Sequence, residues 1–80
     1  MEIIVYSSNS CGYCQRQKEF LKTNGIDFRE IDIHQSKELF DEFKRLGGFG
    51  TPFTIKRENG EITAKINGFD KEKLSKVLLS

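Results

Sequence analysis

The stretch Glu2-Ile3-Ile4-Val5-Tyr6-Ser7-Ser8-Asn9-Ser10-Cys11-Gly12-Tyr13-Cys14 decides how the chain folds. Residues 2 to 7 are an apolar, β-branched run, which predicts a buried strand. Ser7 to Ser10 is a polar turn that ends at Cys11. From Cys11 to Asn24 the composition favours helix, with Phe20 and Leu21 facing inward and Gly25 placed to end it. The two cysteines therefore fall where a strand stops and a helix starts.

Further along, Ile26 to Ile33 alternates, with Ile31 and Ile33 on one face, Glu30 and Asp32 on the other, and Phe28 in step with the acidic face. This predicts a second strand. Leu39, Phe40, Phe43 and Leu46 recur at helical spacing, and Gly47-Gly48 stops that helix. Pro52 opens a third strand from Phe53 to Arg57, and Asn59-Gly60 is a strong hairpin signal. The fourth strand runs from about Glu61 to Ile66, with Ile62, Ala64 and Ile66 expected on one face. Asp70 can cap a last helix that buries Leu74, Val77 and Leu78. The order β-α-β-α-β-β-α predicts an α/β fold: a parallel first unit, an antiparallel hairpin, and a four-stranded mixed sheet with helices on both faces.

Eighty residues suffice for one domain, 1–80, and not for two. With 13 basic against 12 acidic side chains, the chain has no electrostatic footprint for nucleic acid. Arg16, Lys18 and Lys22 read as a solvated helix face, or as a weak docking patch for an acidic partner or a carboxylate-bearing thiol. The start lacks a basic region followed by a long apolar stretch, and no apolar run approaches membrane-spanning length. A cytoplasmic protein is expected.

Cys11 and Cys14 enclose two residues, so a disulfide between them restrains the unfolded chain very little. Zinc would need further ligands, and His34 is the single histidine. The position offers a better reason for the pair. A helix start presents unpaired N–H groups and the positive end of its dipole. A thiolate there is stabilised, and only the thiolate attacks a disulfide. Cys11 is expected at the helix start as nucleophile. Cys14, one turn deeper, is expected to be more buried and to resolve the mixed disulfide. His34 follows the second strand in a polar loop and reads as a solvated or capping residue.

Three motifs together resemble the glutaredoxins: Cys11-Gly12-Tyr13-Cys14 after a short first strand, Thr51-Pro52 before a strand, and Gly68-Phe69-Asp70 before the last helix. The resemblance spans nearly the whole chain and implies a thioredoxin-like fold and a dithiol thiol–disulfide oxidoreductase. It implies a cis Pro52 facing the cysteine pair and a Thr51 backbone free to pair with a bound peptide such as the cysteinyl part of glutathione. It places Tyr13 beside Cys11 in the groove. It assigns Gly68, Phe69 and Asp70 to a loop receiving a glutathione carboxylate.

Substrates would be protein disulfides or glutathione-mixed disulfides, with no required cofactor, no membrane partner, and the protein acting as a monomer. Ser8 stands where many members carry Lys, and Asn67 and Lys71 also depart from the usual pattern. Gly68-Phe69 is similar to the small redoxins that donate electrons to ribonucleotide reductase and are themselves reduced by thioredoxin reductase. The electron source is therefore glutathione or thioredoxin reductase. Gly12, in place of the usual Pro, resembles members that share a [2Fe-2S] cluster between two protomers and two glutathiones, a cluster-carrier alternative.

Overall fold

The computed structural model describes residues 1–79. Its elements follow the order β1 (Glu2–Ser7), α1 (Gly12–Thr23), β2 (Arg29–Asp32), α2 (Lys37–Arg45), β3 (Phe53–Glu58), β4 (Glu61–Asn67) and α3 (Lys71–Leu78). The four strands form one sheet in the order β2-β1-β3-β4. Strand β1 pairs parallel with β2 and antiparallel with β3, and β3 pairs antiparallel with β4. This is the thioredoxin-like α/β fold.

Alternation along β1 explains its central place. Ile3 and Val5 pack with Leu21 of α1 and Leu74 and Leu78 of α3, while Ile4 and Tyr6 pack on the opposite face with Phe43 of α2. A strand apolar on both faces belongs in the middle of a sheet covered on both sides. The rings of Tyr6, Phe43 and Phe53 lie 5.7 to 6.0 Å apart, so they carry much of the α2 layer.

Both longer helices end on the same device. After α1, Gly25 has a φ of +68°, its N–H reaches the Lys22 carbonyl, and the Ile26 N–H reaches the Leu21 carbonyl at 2.9 Å. After α2, Gly47 at φ +101° and Gly48 repeat that pattern on Lys44 and Phe43. A left-handed residue lets the chain turn back and satisfy carbonyls that the helix leaves open. Ser36 and Asp70 cap α2 and α3 by accepting from the N–H groups of Leu39 and Lys73. Asn59 and Gly60, both at positive φ, make the hairpin between β3 and β4.

Two expectations change. Strand β2 begins at Arg29, not Ile26, because the Ile26 N–H is committed to the end of α1. Phe28 packs under α1, on the face that Glu30 shares. In β4, Ile62 does not share a face with Ile66. The register shifts so that Arg57 pairs with Ile62 while Lys56 pairs with Ala64, leaving Thr63 as a bulge. Ile66 joins the layer under α1 and α3, and Ile62 joins the layer under α2.

Candidate active site

Cys11 is the N-cap of α1. Its backbone is extended, at φ −94° and ψ 107°, and its Sγ accepts from the Cys14 N–H at 3.1 Å. Sulfur thus takes the place of the oxygen that usually caps a helix. The Cys11 N–H donates to the Ser8 carbonyl at 3.2 Å, which closes the turn leading into the helix. Cys11 is partly exposed, whereas Cys14 is 1% exposed. Both cysteines are free thiols.

The partner across the groove is the segment that enters β3. The Thr51–Pro52 bond is cis, and the Thr51 carbonyl accepts from the Cys11 thiol at 3.4 Å. The Ser8 and Thr51 hydroxyls lie 3.4 Å apart. Burial alone would raise the Cys11 thiol. The Cys14 and Thr51 side chains and the N–H groups of Cys14 and Tyr13 outweigh it, holding Cys11 below the ordinary thiol range. Cys14 is pushed above that range, first by burial and then by its bond to Cys11. The two sulfurs therefore differ in the direction that a nucleophile and its resolving partner require.

The segment before Pro52 is held from several sides. Asn67 of β4 accepts from the Phe49 N–H at 3.0 Å and donates to the Gly47 carbonyl at 3.2 Å. The Gly68 N–H, at φ +82°, donates to the Pro52 carbonyl at 2.8 Å. Gly68 thus ties the loop before α3 to the proline. Asp70 caps α3 through its carboxylate, and Phe69 packs edge-on against Phe20 at 6.2 Å.

Cys11, Cys14, Thr51, Pro52 and Gly68 form one connected cluster. Tyr13, 60% exposed, stands beside it, with the Arg16 guanidinium 5.4 Å from its ring centre. His34 stacks on Phe40 in the α2 layer, on the sheet face opposite α1.

Two features near the site escape a reading of the sequence. Gln17, one turn beyond Cys14 on the same face of α1, is fully buried and donates through Nε2 to Oγ1 of Thr54 on β3, while its Oε1 has no partner. Phe49, two residues before Thr51, is 89% exposed. Side-chain polarity alone assigns a glutamine to the wet surface and a phenylalanine to the core, and both rules fail here. Among the described residues no group of three or more His, Cys, Asp or Glu converges as a metal site. No described helix is long and apolar enough to cross a membrane.

A C-x-x-C pair at a helix start, facing a cis-proline on this sheet, defines a thiol–disulfide redoxin. The Glutaredoxin family profile matches residues 3–52, and the chain belongs to that family. It is 30% identical to an uncharacterised glutaredoxin-like 8.6 kDa protein in the rubredoxin operon of Clostridium pasteurianum, over 95% of this chain and 96% of that one. It is 37% identical to a glutaredoxin of Pseudomonas aeruginosa over 61% of this chain, a match spanning 58% of that relative's length. Among solved structures, the NrdH-redoxin of Escherichia coli superposes with a TM-score of 0.83 over 96% of this chain and 95% of that one. At 22% identity that likeness shows the fold alone.

Proposed function

We propose that the chain reduces protein or glutathione-mixed disulfides, with Cys11 as nucleophile and Cys14 as resolving thiol. The observation that carries this reading is the Cys14 N–H aimed at the Cys11 sulfur at 3.1 Å, opposite the Thr51 carbonyl. The Cys11 thiolate attacks one sulfur of the substrate disulfide. A Cys11–substrate bond forms, and the other substrate sulfur leaves as a thiolate that takes a proton from water. Cys14 then loses its proton and attacks Cys11 Sγ. The Cys11–Cys14 bond forms and the second substrate sulfur departs reduced. Two electrons have passed to the substrate, and an external dithiol or two glutathiones restore the pair.

Tyr13, Thr51, Pro52, Gly68, Phe69 and Asp70 form the substrate-facing surface in this reading. The Thr51 carbonyl, engaged by the Cys11 thiol in the reduced protein, is released when Cys11 ionises. The Gly68-Phe69 pair favours a second assignment of the same chemistry, a donor to ribonucleotide reductase fed by thioredoxin reductase. A 32% identical relative over 68% of this chain, the glutaredoxin-like protein NrdH of Lactococcus lactis, supports it.

A coupled assay on one disulfide substrate tests both. Glutathione with glutathione reductase is compared with thioredoxin reductase alone. Turnover with either source supports the redox reading, and the faster source assigns the donor. No turnover with both rejects the reading.

A further inference from the structure

One face of α1 leads away from the dithiol. Tyr13, Arg16, Phe20 and Asn24 succeed one another at helical spacing, so they form a continuous stripe beside the buried one of Cys14, Gln17 and Leu21. A cleft of about 270 Å³ lies against Gly12, Tyr13 and Arg16. A second, of about 420 Å³, runs from Arg16 past Phe20 to Asn24 and is walled by Phe69 and Lys71 from the start of α3. Arg16 lines both, so the two clefts adjoin on this face of α1 and together make a groove whose near end lies at the residues that follow Cys11.

The chemistry of this groove is specific. Phe20 and Phe69, packed edge to face, supply an apolar wall. Two cations line the same cleft: the Arg16 guanidinium, 5.4 Å from the Tyr13 ring centre, and the Lys71 ammonium, 6.0 Å from that of Phe69. Neither forms an ion pair among the described residues, unlike Lys18, Lys56 and Arg57. Glu19 is the one carboxylate on the lining of the larger cleft, so its charge is net positive. A cation over an aromatic ring is held in place without being neutralised, so its charge still attracts an incoming carboxylate.

Length decides which kind of disulfide can reach its far end. A helix rises about 1.5 Å per residue, so Phe20 lies roughly 14 Å beyond Cys11 along α1, and Asn24 about 20 Å. Glutathione spans only about 10 Å end to end and is tied at its central residue when bonded to Cys11. An extended polypeptide covers the same distance in about four to six residues.

We propose that the groove docks an acidic and apolar segment of a polypeptide substrate, four to six residues from the cysteine that Cys11 attacks. This rests on the disulfide-reductase reading and narrows its substrate class to proteins.

The test uses three disulfides with the same thionitrobenzoate leaving group. The first is a peptide with a Leu-Glu pair five residues from its cysteine. The second is the same peptide with Ser-Lys there, and the third is glutathione, which serves as the reference for each variant. The wild-type protein is expected to prefer the Leu-Glu peptide by about tenfold in kcat/KM, a difference of about 1.4 kcal/mol. High salt is expected to shrink that ratio in the unmutated protein. In Arg16→Glu/Lys71→Glu the preference should reverse toward the Ser-Lys peptide. A wild-type ratio near one, or a ratio that both salt and charge reversal leave in place, overturns the docking proposal alone. Failure to reduce any of the three overturns the disulfide reading and the docking site with it.

Discussion

Gly48 lies so close to the ring of Phe43 that a Cβ at that position would sit 2.3 Å from Cε1. The contact joins the end of α2 to the loop that carries Thr51 and Pro52. Any side chain at residue 48 must displace a buried ring that also touches Tyr6 and Phe53. Gly48→Ala is therefore expected to cost about 1–3 kcal/mol. In a domain of this size that lowers Tm by several degrees per kcal/mol. Gly50→Ala, two residues on with open space around its Cβ, should change Tm little. Thermal unfolding of the two variants side by side checks this, and an equal Tm for both would contradict it.

The opposed displacements of the two thiols predict a division of labour. Cys11, held below the ordinary thiol value, should alkylate first and at lower pH than Cys14. Cys14, pushed up by burial, should react slowly and only at higher pH in a Cys11→Ser protein. Cys11→Ser should abolish turnover, and Cys14→Ser should accumulate a mixed disulfide visible by intact mass. Faster labelling of Cys14 than of Cys11 would exchange their roles.

The buried bond between Gln17 and Thr54 lends itself to a double-mutant cycle. Thr54→Val leaves the Gln17 amide without a partner at either end, because its Oε1 already lacks one. That should cost about 1–3 kcal/mol. Replacing both residues, as Gln17→Leu/Thr54→Val, removes the stranded amide and should recover most of the loss. Denaturant unfolding measures the cycle, and strictly additive losses would show that the pair is not coupled.

Glu30 offers a pH test on the same side of the sheet. Its carboxylate accepts from Lys18 at 2.9 Å and from the Ser7 hydroxyl at 2.8 Å, and the Lys18 bond leads in holding it below the usual carboxylate range. A lowered folded value means stability that is present above the unfolded value of about 4.3 and is lost as pH falls through the folded one. The Glu30 side chain is 39% exposed, so solvent screening limits the effect to about 0.2–1 kcal/mol. The stability gap between wild type and Glu30→Gln should narrow from pH 7 to pH 3. A gap constant across that range would refute the assignment.

Much of this architecture is legible in local patterns. An apolar run marks β1, alternation marks β2 and helical spacing marks α2, and Gly25, Gly47, Asn59-Gly60 and Asp70 mark ends that depend on a single residue's backbone or cap. The helix-start dithiol is legible for the same reason, since Cys11 and Cys14 meet through one turn of helix. The parts that stayed hidden are made across the chain. Gln17 and Thr54 lie 37 residues apart, and Asn67 reaches Phe49 across 18. Neither pairing leaves a periodic trace. Thr63 breaks the alternation of β4 because β3 presents one residue where β4 has two, and a single strand cannot reveal its neighbour's count.

Because the first helix is capped by sulfur and not by oxygen, its folding and its oxidation state draw on the same lone pairs. The N–H groups that favour the Cys11 thiolate lose that anion whenever the sulfur joins a disulfide. Helix α1 thus acts as a thermodynamic counterweight. Each increment of stability that it lends the reduced form makes the protein a more avid holder of electrons and a weaker donor. Tuning the residues around residue 11 to hold the thiolate more firmly would, by the same linkage, weaken the drive to pass electrons on.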